Sequence, residues 1–325
     1  MRPQLRALAA QNGGVFTRAE AVSVGYTERE LKTRTGHGGA WVVVRRGCYA
    51  ERTVWEASSD DGRYLLRVRA AVLSMRFGAA VSHGSAAIAL SMPVRPRWRE
   101  LVHVTRPGVT GCRTENGVKH HLAGFDGDDL TTASGMRVTG RARTAVDIGR
   151  EYGYEDGVVA GDAALRLGST HEDLDRSLAR MTYWPGVTQA RAAVHVADGG
   201  AQNPGESLLR LMVIELGIGK PETQFKIVDG GRWAEADVRV GRHLFEFDGR
   251  VKYVGREGGG VADKPAEEIL WDEKRREDWL RRVHGGFGMS RVVWDEMFGP
   301  ARRRTMRRLY DEYLQTLDRF GDEAA

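Results

Sequence analysis

The chain has 325 residues, 29% charged and 41% apolar, with a formal net charge of +5. That is the make-up of a water-facing globular protein long enough for two or three domains. No apolar run approaches the about 20 residues of a membrane span, and the opening MRPQLRALAAQNGG is too polar, and too short of a cleavage pattern, to be a signal peptide. The two cysteines, Cys48 and Cys112, have no metal-ligand spacing and fit a reducing compartment, so the expected location is cytoplasmic. Charge is uneven: residues 1–52 hold nine Lys/Arg against four Asp/Glu, and ARRRTMRRLY at 301–310 holds five arginines. Two basic ends permit polyanion binding.

Three parts are expected, 1–54, 55–200 and 201–325. In the first, RPQLRALAAQNG reads as a helix stopped by Gly13-Gly14. Thr17 with Glu20 three residues on forms a capping box for a helix through Val24, and Thr27 with Glu30 forms a second for a helix to about Thr35. WVVVRRG and CYAER then make a β-ribbon with Arg45-Arg46-Gly47 at its tip. This is the order of a winged helix-turn-helix, whose second paired helix enters the major groove while a basic wing reaches phosphate or the minor groove. Arg29, Lys32 and Arg34 on the helix and Arg45 and Arg46 on the wing are the candidate DNA contacts. The competing reading is a small domain that contacts only protein.

In the second part, residues 61–77 and 80–91 read as helices, LVHVTRP and VKHHLA as strands around a Gly-rich turn, and RTAVDIGREYG, DGVVAGDAALRLG and HEDLDRSLARMTYW as helices. His83, His103, His120 and His121 lack compact ligand spacing, so structural or solvated roles are expected of them. Arg143, Thr144 and Asp147 open a helix, where capping is the default role.

The third part follows VADGGAQNPG. SLLRLMVIELGIG reads as an amphipathic helix, QFKIV as a strand, AEEILWDEKRREDWLRRVHG as a long charged helix and MSRVVWDEM as a last strand. Between them, 233–240 and 243–249 alternate with period two, and Gly241-Arg242 suits a two-residue turn. That turn sets Val240 opposite His243, Val238 opposite Phe245, Asp237 opposite Glu246 and Glu235 opposite Asp248. One face of the ribbon is Ala236, Val238, Val240, Phe245 and Phe247; the other gathers four carboxylates. Opposed like charges destabilise a sheet, and a divalent cation with oxygen ligands is the economical compensation.

The order α-β-β-β-α-β with ESLLR, AEADVRV, FEFDGRVKY, and DEKRREDWLRR before MSRVVW resembles the PD-(D/E)XK nuclease superfamily, more closely its DUF559 branch related to very-short-patch repair enzymes, over about residues 203–297. The expected fold class is therefore multidomain α/β (α+β), with a winged helix, an α/β middle domain and a nuclease-like third domain. The resemblance implies Glu206 as an accessory acid and Asp237 and Glu246 as the metal pair. Asp248 stands where the pattern has Lys; Lys252, or Lys274 on the long helix, is implied in its place. The implied chemistry is DNA phosphodiester hydrolysis with Mg2+ or Mn2+, the ion acidifying a bound water and stabilising charge on the phosphate. Each residue has a plainer alternative: Glu206 as a helix cap, Glu235 as a solvated acid, Lys274 as a partner of Asp278, Asp248 as a turn former.

GVFTRAEAVSVG, WVVVRRGCYA, SHGSAAIALSMPV, LVHVTRP and GRARTAVDIG, over about residues 5–165, resemble the AbiEi-type antitoxins, transcriptional regulators of abortive-infection toxin–antitoxin systems. That implies DNA binding and admits a cognate toxin or defence partner. Two main readings result: a DNA endonuclease in defence against phage or other foreign DNA, or an antitoxin-like regulator whose nuclease fold is inactive. A repair-type nickase is a third. Double-strand cleavage by one site per chain would call for a homodimer.

Overall fold

The computed structural model describes residues 1–75, 78–107, 111–249 and 266–321, with residues 266–267 and 269–270 given as backbone only. Lys252 lies outside the described residues. The chain is mixed α/β and forms two compact units, Met1–Ala197 and Asp198–Ala325.

The first unit opens with α1 (Pro3–Gln11), β1 (Val15–Thr17), α2 (Arg18–Ser23), α3 (Glu28–Thr35), β2 (Trp41–Arg45) and β3 (Cys48–Glu51). Both capping boxes form: Thr17 and Thr27 each accept the amide of the glutamate three residues on, and each glutamate returns to the cap amide. The strands pair in the order β1-β3-β2. Around them Leu5, Phe16, Tyr26, Leu31 and Trp41 form one core, with the Phe16 and Trp41 rings edge-to-face at 4.8 Å.

After α4 (Arg52–Ala57) and α5 (Asp60–Leu73) come β4 (Ala80–Val81) and α6 (His83–Ala89). The helix expected over 80–91 thus starts three residues late. Ala80 and Val81 instead pair with Thr105 and Val104 on one side, and Val81 pairs with Val138 on the other. A two-residue central strand carries no period of its own, so only its neighbours reveal it. Strands β5 (Val102–Thr105), β6 (Arg113–Glu115), β7 (Val118–His121), β8 (Leu130–Ala133) and β9 (Met136–Thr139) complete a six-stranded sheet ordered β6-β7-β5-β4-β9-β8. Its core holds Tyr64, Val68, Val81, Val104, Val118 and Val138.

Helices α7 (Arg141–Tyr152), α8 (Tyr154–Arg166), α9 (His171–Ala179) and α10 (Val187–Val196) follow. Gly149 and Gly157 let α7 and α8 touch: a Cβ on Gly157 would lie 2.9 Å from the Gly149 Cα and 2.7 Å from the Ala193 Cβ. The capping role expected for Arg143, Thr144 and Asp147 is not what these residues do, because Gly140 is the cap and has no side chain to give. Arg143 is buried between Asp147 at 3.0 Å and Asp129 at 3.2 Å, and the Thr144 hydroxyl donates to the Thr139 carbonyl at 3.0 Å.

In the second unit, α11 (Pro204–Leu216) precedes β10 (Glu222–Asp229), β11 (Arg232–Val240) and β12 (His243–Asp248); α12 (Ala266–Leu280), β13 (Gly288–Val293) and α13 (Gly299–Phe320) follow. The sheet runs β10-β11-β12-β13, with the first two pairings antiparallel and the last parallel. The last strand ends at Val293, short of the expected MSRVVWDEM, because Trp294–Met297 turn into a 3-10 helix. Helix α11 is buried at all nine positions after Pro204, so the side expected to be polar is covered as well. Strand alternation places His243, Phe245 and Phe247 toward α11 and α13, and Leu244 and Glu246 toward α12.

Candidate active site

The turn sets the register nearest to it: Val240 pairs with His243 and Val238 with Phe245, and Gly241 takes φ +56 as the first turn residue requires, but the ladder stops at Val238, so the expected pairs Asp237–Glu246 and Glu235–Asp248 do not form. The residues of the expected apolar face are buried at Ala236, Val238, Val240 and Phe245 and half-buried at Phe247, but Ala236 packs with Leu244 and Leu280 on the α12 side, away from Phe245. Beyond Val238 the Asp237 carboxylate accepts the Phe247 amide at 2.7 Å. There a side-chain oxygen takes the hydrogen bond in place of a backbone carbonyl. The Phe247 ring lies against Gly205 of α11, where a Cβ would come within 2.3 Å of the ring.

The acids converge. Glu235, Asp237, Glu246, Asp248 and Glu273 line one cavity of about 210 Å³ together with Phe247, Arg276 and Arg291. Glu246, only 8% exposed, is held by the Arg276 guanidinium at 2.6 Å and by Arg291 Nε at 3.6 Å. Arg291 sits directly beside it in the parallel β12–β13 register. Arg276 also donates to the Glu235 carbonyl at 2.6 Å. Burial opposes the charge on Arg276, but Glu246, Asp237 and Glu273 outweigh it and its pKa is raised. Three carboxylates drawn from two adjacent strands are hard oxygen donors of the kind Mg2+ or Mn2+ takes. In this structure Asp237, Glu246 and Asp248 share a cavity but are not drawn together to within 4.8 Å, a spacing that among the described residues is met by His83, His103 and His121.

Glu206 is absorbed in the start of α11. Its carboxylate accepts the Gln202 amide at 2.6 Å and Gln224 Nε2 at 3.1 Å, and also takes a bond from Asn203, whose own Oδ1 caps the helix. It reaches the acid cavity through Gln202, which donates to Glu235 at 3.2 Å. Lys274 does not line the cavity: it is exposed, with its ammonium 6.0 Å over the Trp271 ring. The cations at the acids are the arginines, which the sequence reading passed over. Arg276 follows Glu273 by three positions, a helical spacing that puts both on one face and was a usable signal. Nothing local marked Arg291.

In the first unit Arg29 and Lys32 are exposed on α3, whereas Arg34 is half-buried over the Tyr26 and Trp41 rings at 5.2 and 5.3 Å. Arg45 and Arg46 line a cavity of about 630 Å³ that also includes Arg67 and Arg99. Arg45 donates to the Asn116 carbonyl at 3.0 Å, and Arg99 is paired with Asp61 at 2.6 Å. Of the five arginines at 302–308, Arg302 pairs with Glu215 and Arg308 with Glu296 and Glu312, while Arg303, Arg304 and Arg307 are exposed.

Among the described residues no helix is long and apolar enough to cross a membrane. No family model matches the chain. Two curated proteins of Mycobacterium tuberculosis are similar to it: uncharacterized protein Rv2248 of strain ATCC 25618 / H37Rv and uncharacterized protein MT2308 of strain CDC 1551 / Oshkosh. Each is 31% identical over 225 residues, spanning 67% of this chain and 74% of the relative. Among solved structures, the crystal structure of the RV2827C protein from Mycobacterium tuberculosis superposes with a TM-score of 0.40 at 17% identity, over 63% of this chain and 78% of that one.

Proposed function

This chain belongs to the family of the Mycobacterium tuberculosis proteins Rv2248 and MT2308, and we propose that it is a DNA-binding protein whose second unit is a metal-dependent endonuclease. One observation carries the reading. Five carboxylates against two guanidiniums give the lining of the small cavity a formal charge of −3. Carboxylates gathered around one small cavity repel one another, and a bound cation relieves that repulsion. Asp237 and Asp248, with Glu246 between them in sequence, are the residues that would hold Mg2+ or Mn2+. Bound there, the ion would supply an acidified water and Lewis-acid stabilisation of the phosphate. Arg276 and Arg291 pair with Glu246 and offer planar donors of the type that binds non-bridging phosphate oxygens. In the first unit, the exposed Arg29 and Lys32 and the turn residues Arg45 and Arg46 fit the winged-helix reading, in which they meet duplex phosphates or base edges.

A specific observation favours a second reading, an antitoxin-like regulator with an inactive nuclease fold: Glu246 is already neutralised by two arginines, and Lys274 is turned away from the acids. Supercoiled plasmid incubated with Mg2+ or Mn2+ separates the two. The endonuclease reading expects metal-dependent nicking that falls at least about a hundredfold in Asp237→Ala, a loss of order 3 kcal/mol in transition-state stabilisation. Intact plasmid, with salt-sensitive binding to duplex DNA by the same preparation, would decide for the regulator.

A further inference from the structure

The first unit contains a second convergence, remote in sequence from every residue assigned above. His83, His103 and His121 are each buried, and each offers a ring nitrogen within 4.8 Å of the others. The His83 and His121 rings stack at 3.7 Å, and His103 Nδ1 lies 2.9 Å from His121 Nε2. From these contacts we infer that the trio is a transition-metal site of the all-imidazole class, taking Zn2+.

Three independent features point the same way. The first is the disposal of the other ring nitrogens. His83 Nδ1 sits 2.9 Å from the Ser82 hydroxyl, and His103 Nε2 sits 2.9 Å from the Tyr152 hydroxyl. Each of these rings is thus held at one nitrogen by an oxygen, and on His103 the remaining nitrogen faces His121. That is how ligating histidines are oriented by outer partners. The second is backbone strain. His83 is held at φ +52, a left-handed conformation costing of order 1–3 kcal/mol for a residue with a Cβ, the kind of cost that collects at functional sites. The third is Thr105. Its hydroxyl is fully buried with no hydrogen-bond partner among the described residues. It stands directly opposite His121 in the β5–β7 register, on the face that also carries His103. An orphaned hydroxyl opposite His121 is suited to meet a water or hydroxide in the fourth position of a tetrahedral ion.

Burial lowers the pKa of all three histidines, that of His103 to about 4, so the rings are neutral, the ligand form. The nearby cations each pair with a carboxylate, Lys119 with Glu151 and Arg143 and Arg150 with Asp147 at 3.0 Å each, although all three still disfavour positive charge at His83. Zn–N bonds of about 2.0–2.1 Å place tetrahedral nitrogens roughly 3.3 Å apart, so the ion would part His103 and His121 slightly and draw in ligand atoms that now lie up to 4.8 Å apart. An imidazole set suits Zn2+ where the oxygen set of the second unit suits Mg2+, so the two sites are chemically distinct.

The test uses the full chain, free of any histidine tag, stripped by chelator and titrated with Co2+ as a spectroscopic substitute and then with Zn2+. Expected are visible d–d bands of tetrahedral cobalt that saturate at one ion per chain and are bleached by Zn2+. X-ray absorption of the zinc-loaded protein should show a nitrogen/oxygen shell at about 2.0–2.1 Å with imidazole scattering. Tyr152→Phe, which keeps the ring and removes the hydroxyl, should weaken binding about 10–100-fold while leaving the saturated spectrum unchanged. His103→Asn should abolish it. Absence of the bands in the wild type, a sulfur shell at about 2.3 Å, or full binding by a folded His83→Asn, His121→Asn double variant would each overturn the site. If the histidine variants do not fold, the wild-type spectrum and absorption shell decide it alone.

Discussion

Asp237 and Glu246 show how one side chain's neighbours set its chemistry. Both come from the ribbon, yet Glu246 is neutralised by Arg276 and Arg291 while Asp237 accepts the Phe247 amide. The difference follows from β13, which brings Arg291 alongside Glu246 in register. His243 is a second case. It is buried with Nδ1 2.6 Å from the Thr316 hydroxyl and Nε2 2.8 Å from Ser290, which in turn donates to Glu312, and the Phe245 and Tyr313 rings close around it. Burial lowers its pKa to about 4 from a usual 6.5. Between those values the unfolded chain takes up a proton that the folded chain refuses, so stability is full above the usual value and falls as pH drops through the window. Urea denaturation of the wild type should lose up to about 1.4 kcal/mol per pH unit through this group. His243→Gln should show a shallower pH dependence over the same window, and an identical slope in the two proteins would refute the assignment.

At the scale of elements, what was legible was what short-range chemistry controls. The Thr17–Glu20 and Thr27–Glu30 boxes set two helix starts, and Gly241-Arg242 set a strand register. What was not legible depended on partners far along the chain: β1 and β4, of three and two residues, exist by pairing, and α13 was seen only as a run of arginines although Thr305, Leu309, Tyr313 and Thr316 mark its buried face. The α7–α8 crossing is likewise tertiary. Gly157→Ala puts a methyl against the Ala193 side chain and the Gly149 backbone. It should cost about 1–3 kcal/mol as overpacking, read as a lower urea midpoint with an unchanged m-value; an unchanged midpoint would mean that the helices part freely.

At the scale of the molecule, each unit encloses its own core. In the second, Ile227, Ala234, Leu244, Leu280 and Phe287 close the α12 side, and Leu208, Leu209, Met212 and Phe245 are buried within the same unit. A fragment comprising residues 198–325 should therefore give a cooperative thermal transition and dispersed amide resonances by itself. A fragment that stays unfolded would show that the second unit depends on the first.

The sequence by itself determined two helix starts, the turn of the ribbon and the gathering of acids around it, because capping, turn geometry and strand alternation act over a few residues. Only the tertiary structure decided that arginines from α12 and β13 neutralise Glu246 and leave Lys274 outside the cavity. It alone also brought His83, His103 and His121 together from positions with no ligand spacing, since parallel pairing of β5 with β7 joins residues whose separation along the chain carries no periodic signal.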